Sequence, residues 1–192
     1  FEEHVVIDNT YANDSPVAVY SADIDNDGDM DILSVSTSQN KVAWHENLDG
    51  QGNFSEWQII TSTMNSANSV LAIDIDQDGD LDVLASGYQE IAWYENVDGQ
   101  GSFGAKKIIP SNGKGANSIF ATDIDIDGDI DIVFGNNDVI AWSENIDGLG
   151  NYSFYNTLDS INSIRSVYSE DLDEDGDMDI LLAVGNKITW YE

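Results

Sequence analysis

The chain contains no cysteine, so disulfides are excluded and thiols cannot report the redox compartment. Basic residues are few, 6 Lys and Arg against 37 Asp and Glu, for a formal net charge of −31. A surface of that sign repels nucleic acid phosphates and anionic membranes, which sets both aside as partners. No stretch approaches the roughly 20 apolar residues of a membrane-spanning helix. Nor does an apolar period of 3.6 persist anywhere, so helix content should be near zero. The two histidines, His4 and His45, do not recur with any periodicity. No serine has a nucleophile's setting, so no enzymatic activity is expected. The chain begins at Phe1 with no signal-peptide pattern, which reads as a processed product or an excerpt of a longer protein. Its 41% of hydrophobic residues still suffices for a core, and 192 residues fit one domain spanning residues 1–192.

What the chain does have is a nine-residue pattern, Asp-x-Asp-x-Asp-Gly-Asp-x-Asp, in four copies. The first holds Asp23, Asp25, Asp27, Asp29 and Asp31; the second Asp74, Asp76, Asp78, Asp80 and Asp82. The third holds Asp123, Asp125, Asp127, Asp129 and Asp131; the fourth Asp171, Asp173, Asp175, Asp177 and Asp179. Carboxylates packed this densely repel one another unless a cation sits among them. Positions 1, 3 and 5 offer side-chain oxygens, position 7 its main-chain carbonyl, and position 9 a closing carboxylate. About six or seven hard oxygens around a glycine-permitted turn suit Ca2+ better than Mg2+. Nitrogen- or thiolate-bound metals are not expected without His or Cys nearby. An EF-hand would need Glu at position 12, where Ser34, Ala85, Phe134 and Leu182 stand instead. One calcium per copy, four in all, is therefore expected. Sites of ordinary affinity stay filled where calcium is about millimolar, which places the chain outside the cell.

The motifs begin at Asp23, Asp74, Asp123 and Asp171, a spacing of 48 to 51 residues. A period of that length marks an array of supersecondary units, with repeats at about 1–53, 54–102, 103–151 and 152–192. Each motif runs into an apolar segment, then a turn, then a strand ending in Trp44, Trp93, Trp142 or Trp190. Three of these continue as Asn-x-Asp-Gly-x-Gly turns, followed by a strand with Phe54, Phe103 or Tyr152. Four short β-rich runs per unit predict an all-β fold, a β-propeller of four four-stranded blades. Phe1 to Ile7 aligns with Phe54 to Ile60, while the last unit stops before its own fourth strand. The N-terminal strand is thus expected to complete the last blade, either in cis or in a neighbouring subunit.

The motif, its trailing Ile-Leu and the Trp-Tyr-Glu-Asn strands resemble the FG-GAP and VCBS repeats. Those repeats occur in integrin α-subunit propellers, some lectins and many secreted bacterial proteins. The resemblance implies a propeller with calcium in the hairpin between the first and second strands of each blade. Family propellers commonly have seven blades; four repeats leave a closed ring, an assembly and a fragment all open. Function is expected to be non-catalytic recognition or adhesion of a glycan or extracellular protein. A structural subunit of a ring or fibre assembled by strand exchange is one alternative. An accessory domain of a secreted polysaccharide-degrading enzyme is another. The recurrent tryptophans read as packing rather than a sugar platform, with Trp57 the better candidate for a surface contact. Glu46 and Glu95 could be drawn as an acid pair, but their shared blade position argues for structure. Asn13, Asn53 and Asn151 match the N-glycosylation acceptor pattern.

Overall fold

The computed structural model describes residues 5–6, 15–111, 113 and 115–192. Every regular element among them is a β-strand, and fifteen strands build four antiparallel sheets. The first sheet contains β1 (Pro16–Ala22), β2 (Asp31–Ser36), β3 (Lys41–His45) and β4 (Gln58–Thr61). The second contains β5 (Ser69–Ile73), β6 (Asp82–Ser86), β7 (Ile91–Tyr94) and β8 (Lys107–Ile109). The third contains β9 (Ser118–Thr122), β10 (Asp131–Gly135), β11 (Ile140–Ser143) and β12 (Asn156–Asp159). The fourth has three strands, β13 (Ile164–Glu170), β14 (Asp179–Val184) and β15 (Lys187–Tyr191). Each sheet runs in chain order, and β1, β5, β9 and β13 stand side by side in sequence. This is the four-bladed β-propeller that the repeat spacing predicts. The strand opening each later sequence repeat (β4, β8, β12) pairs with the blade before it, so repeats and blades are offset by one strand. The predicted closing strand, Phe1 to Ile7, lies outside the described residues apart from Val5 and Val6.

Burial explains why the middle strands read as unbroken apolar runs. Successive side chains of a strand point to opposite faces, and here each face serves a different core. Val83 and Ala85 of β6 pack toward the first blade with Leu33, Val42 and Trp44. Leu84 between them packs toward the third blade with Ile119, Ile132 and Phe134. Val133 of β10 then joins Ile164, Val167 and Leu182 of the fourth blade. Among the described residues no core belongs to one blade, so each blade depends on its neighbour for burial.

The recurrent tryptophans anchor these joints. Trp44 and Trp93 are buried, at 2% and 1% exposure. The turn of the following blade lies flat on each indole. A Cβ on Gly101 would collide with Trp44, and one on Gly150 with Trp93. Both glycines also have positive φ, 80° and 76°, so no other residue fits there without strain. The equivalent Gly52 meets no indole, only the edge of Phe54 at 3.9 Å. Trp190 of β15 is 45% exposed. The expected packing role thus holds for the first two tryptophans and for Trp142, half-buried against the third core, but not for Trp190. Trp57 is no open platform either, since the Lys41 ammonium sits 3.2 Å from its ring centroid.

Candidate metal centres

The acidic motif connects the first strand of each blade to the second: β1 to β2, β5 to β6, β9 to β10 and β13 to β14. Local side-chain-to-backbone hydrogen bonds curl it. Asp23 accepts from the amides of Asp27 and Gly28 at 3.1 and 3.0 Å. Asp123 and Asp171 do the same in their loops. Position 5 then accepts from the amide of position 7, as Asp27 does from Asp29 at 2.9 Å. The turn requires positive φ at Gly28, Gly79, Gly128 and Gly176, between 94° and 102°. EF-hand geometry is ruled out, since Ser34, Ala85, Phe134 and Leu182 lie within β2, β6, β10 and β14.

The curl brings carboxylates face to face. Oxygens of Asp23, Asp25 and Asp27 lie within 4.8 Å of one another, as do those of Asp74, Asp76 and Asp78, and of Asp123, Asp125 and Asp127. In the fourth loop the grouped residues are Asp171, Asp173 and Asp179. A buried oxygen of Asp25, Asp74, Asp76 and Asp179 has no hydrogen-bond partner. An orphaned buried carboxylate oxygen is costly, and a hard cation is the partner it suits. The donor set therefore fits calcium. Burial, and then the charges of Asp31 and Asp27, push the Asp25 carboxyl up from its usual value. Burial followed by Asp78 and Glu95 does the same to Asp76.

Positions 7 and 9 do not join the clusters of the first three loops, and each has its own neighbours. Position 9 is buried: Asp31, Asp82, Asp131 and Asp179 are at most 1% exposed. In the first three loops its two oxygens receive backbone amides from separate segments, whereas in the fourth, among the described residues, Asp179 accepts only from Leu172, at 2.8 Å. Asp82 accepts from Ile75 at 3.0 Å and from Asn96 at 2.9 Å, and Asp131 accepts from Ile124 and Asn145. Burial outweighs these bonds and pushes both Asp82 and Asp131 up to about 7. Position 7 reaches sideways to the neighbouring blade. Asp80 accepts from the Asn26 amide at 2.9 Å, and Asp129 from Gln77 at 3.0 Å.

These donors are position 4 of the preceding loop, which has positive φ in all four copies: Asn26, Gln77, Ile126 and Glu174. The third departs from this pattern. Ile126, at φ 62°, has a β-branched side chain in a conformation it resists, and no donor to offer Asp177. Ile126→Asn is expected to raise stability by about 1 kcal/mol. A calorimetric scan checks this, and an unchanged or lower midpoint would contradict it.

Two contributors escaped the sequence reading. The first is the asparagine that follows the first three Trp-x-Glu triplets (Asn47, Asn96 and Asn145), which looked like an ordinary turn residue. Asn96 and Asn145 are fully buried, and their side-chain amides donate across the blade joint to the carbonyls of Ile24 and Ile75 at 2.8 and 3.1 Å. Their side-chain carbonyls accept from Gly101 and Gly150, both at 3.1 Å, which sets the turn over the indole. The second is the glutamate beside it. The Glu192 carboxylate lies within 4.8 Å of those of Asp173 and Asp175, and Glu95 is close enough to raise Asp76. Their recurrence at one place in every repeat was the available signal. Glu95 also pairs with Lys107 at 2.6 Å, and Glu46 accepts from Gln58, so both have structural partners. Of the glycosylation triplets, Asn53 and Asn151 are exposed in their turns, and Asn13 lies outside the described residues.

Fold and site together define a β-propeller assembled from repeats with an acidic hairpin in every blade. Residues 23–85 and 74–134 match the FG-GAP-like repeat, together more than half of the chain, and the chain belongs to that family. Several solved structures share its fold, among them the following three. The Vibrio cholerae biofilm matrix protein Bap1 is 21% identical with a TM-score of 0.55, over 93% of this chain and 26% of that one. An Agrocybe aegerita lectin that recognises non-reducing terminal N-acetylglucosamine is 18% identical with a TM-score of 0.61, over 90% and 52%. The Photorhabdus luminescens Tc holotoxin pore is 14% identical with a TM-score of 0.51, over 95% and 9%. The chain therefore spans between about a tenth and a half of each of these proteins. No curated protein sequence matches it. Among the described residues no helix is long and apolar enough to cross a membrane.

Proposed function

We propose that the chain is a non-catalytic, calcium-binding recognition module that works outside the cell and holds a glycan or an extracellular protein. The convergence of carboxylates with orphaned buried oxygens carries the calcium half of this reading. In each hairpin positions 1, 3 and 5 would hold the ion through side chains. The main chain of position 7 and the carboxylate of position 9 would complete its surroundings. Bound there, calcium supplies the positive charge that lets neighbouring carboxylates stay ionised. Position 9 also anchors the asparagine turn, so a filled hairpin would stiffen the joint to the preceding blade. Extracellular calcium keeps such sites loaded. A biofilm matrix protein and a glycan-specific lectin among the structural neighbours support recognition outside the cell.

A second reading, a subunit of an extracellular assembly, rests on Trp190 and Ile188. Both are exposed on β15, at 45% and 76%. A turn like that of Gly52, offered by another copy, would cover Trp190 as Gly101 covers Trp44. Native mass spectrometry in calcium buffer tests both readings. A monomer carrying four calcium ions is expected from the first. Multimers that revert to monomer in Trp190→Ala would support the second, and a folded chain binding no calcium would sink the first.

A further inference from the structure

On the face away from the acidic hairpins, the second and third blades enclose a hollow of about 300 Å3. We propose that it is a binding site for a neutral saccharide, an inference that rests on the recognition reading above. Its walls are the turn between β6 and β7, the turn between β10 and β11, and the segments leading into β5 and β9.

At its floor the two blades meet backbone to backbone, and the buried Ser86 hydroxyl also donates to the Ala116 carbonyl at 3.1 Å. A Cβ on Gly115 would collide with the Gly87 carbonyl, so glycine is needed for the approach. Tyr88 is pinned by its main chain on both sides. Its amide donates to the Asn65 carbonyl at 2.8 Å, and its carbonyl accepts from Gly115 at 3.1 Å. The ring itself stands 64% exposed at the rim. A rigidly based aromatic facing open space offers its flat surface to a ligand at little entropic cost.

The remaining lining is rich in amides: Asn68, Gln89, Asn117 and Asn136. Asn136 is 7% exposed. Its side-chain oxygen accepts from the amides of Asp138 and Val139 at 2.8 and 3.1 Å, while its Nδ2 has no partner. A buried amide nitrogen without an acceptor is destabilising. A ligand rich in hydroxyl or carbonyl oxygen would bring one into this hollow. The corresponding place between the first and second blades differs, because its polar groups are already used. There Asn40 accepts from the amides of Ser66 and Met64, and Thr37 donates to Ala67.

Charge narrows the ligand class. Asp138 is among the lining residues. With −31 on the chain, phosphates, uronates and sialylated chains are repelled. Among the described lining residues Tyr88 carries the one large apolar side chain, which leaves little to anchor the side chains of a peptide. Amides that both donate and accept, beside one exposed aromatic face, match a neutral sugar ring with its hydroxyls and C–H face.

The test is a titration of the calcium-loaded chain, followed by amide NMR and calorimetry. The probes are methyl glycosides of glucose and galactose, their 2-acetamido analogues, and glucuronate as the charged control. Saturable binding of at least one neutral glycoside is expected, with resonances of Tyr88 and Asn136 shifting and no response to glucuronate. Tyr88→Ala should weaken binding at least about tenfold, and Tyr88→Phe should restore most of it. Tyr88 is exposed, so Tyr88→Ala should keep the melting midpoint. Binding that Tyr88→Ala leaves unchanged would overturn this site while preserving the recognition reading. A folded, calcium-loaded chain that binds no neutral glycoside overturns the proposal, as does one whose Tyr88 responds to glucuronate as strongly as to the neutral glycosides.

Discussion

Excess chelator is expected to lower the melting midpoint by about 20 °C or more, and calcium, but not equimolar magnesium, to restore it. Free calcium at a hundredfold excess over Kd contributes about 2.7 kcal/mol per site, so four sites contribute about 11 kcal/mol. A chain of this length shifts by roughly 2–4 °C per kcal/mol. The structure indicates why the loss should spread beyond the loops. With the cation gone, Asp23, Asp25 and Asp27 face one another within 4.8 Å. The hairpin they curl also contains Ile24, whose carbonyl receives the Asn96 amide from the next blade at 2.8 Å. That asparagine sets the turn carrying Gly101 against Trp44. Loosening one hairpin therefore loosens a joint, and the joints hold all three cores found among the described residues. A single steep transition moving with calcium is expected. A midpoint indifferent to chelator would show that the carboxylate clusters do not depend on a cation.

The blades were legible in the sequence because their signals are local and repeated. Short β-rich apolar runs, the 48-to-51-residue spacing and the glycine of each acidic turn are all signals carried by the repeat itself. Position 9 was legible only as one more carboxylate. Its burial and its bonds to two separate segments depend on how the third strand returns past the hairpin, which spacing does not specify. The cross-blade role of Asn96 was hidden for a related reason. Ile24, its acceptor, is 72 residues away, while an Asn in a glycine-rich turn has a sufficient local explanation in capping its own backbone. Asp98 does cap in that way, accepting from the amides of Gln100 and Ser102. The two residues stand in the same turn, and only the packed structure separates their roles. The sugar-sized hollow was out of reach altogether, since its walls come from two turns and two connecting segments of different repeats.

The buried position-9 carboxylates should give the chelated protein an unusual pH dependence. Asp82 and Asp131 are raised from 3.8 to about 7 by burial. A group whose folded pKa exceeds its unfolded value lends stability that is complete below the unfolded pKa and lost as pH rises through the folded one. For these two the window runs from 3.8 to about 7. A shift of that size corresponds to about 4 kcal/mol for each group at most. In chelator the midpoint should therefore be higher at pH 5 than at pH 8, by several degrees. Calcium should reverse the order, because it binds the ionised carboxylates and competes with the proton. General repulsion among 37 acidic side chains would also favour low pH in chelator, so the wild-type slope alone does not isolate position 9. Asp131→Asn separates the two effects. It removes one titrating group but turns an NH2 toward one of the amides that Asp131 accepts from, Ile124 or Asn145, so its midpoint falls overall. Its slope between pH 5 and pH 8 in chelator should be shallower than wild type by roughly half of what these two carboxylates contribute. An undiminished slope would assign the pH dependence to the surface charge, leaving the buried carboxylates no part in it.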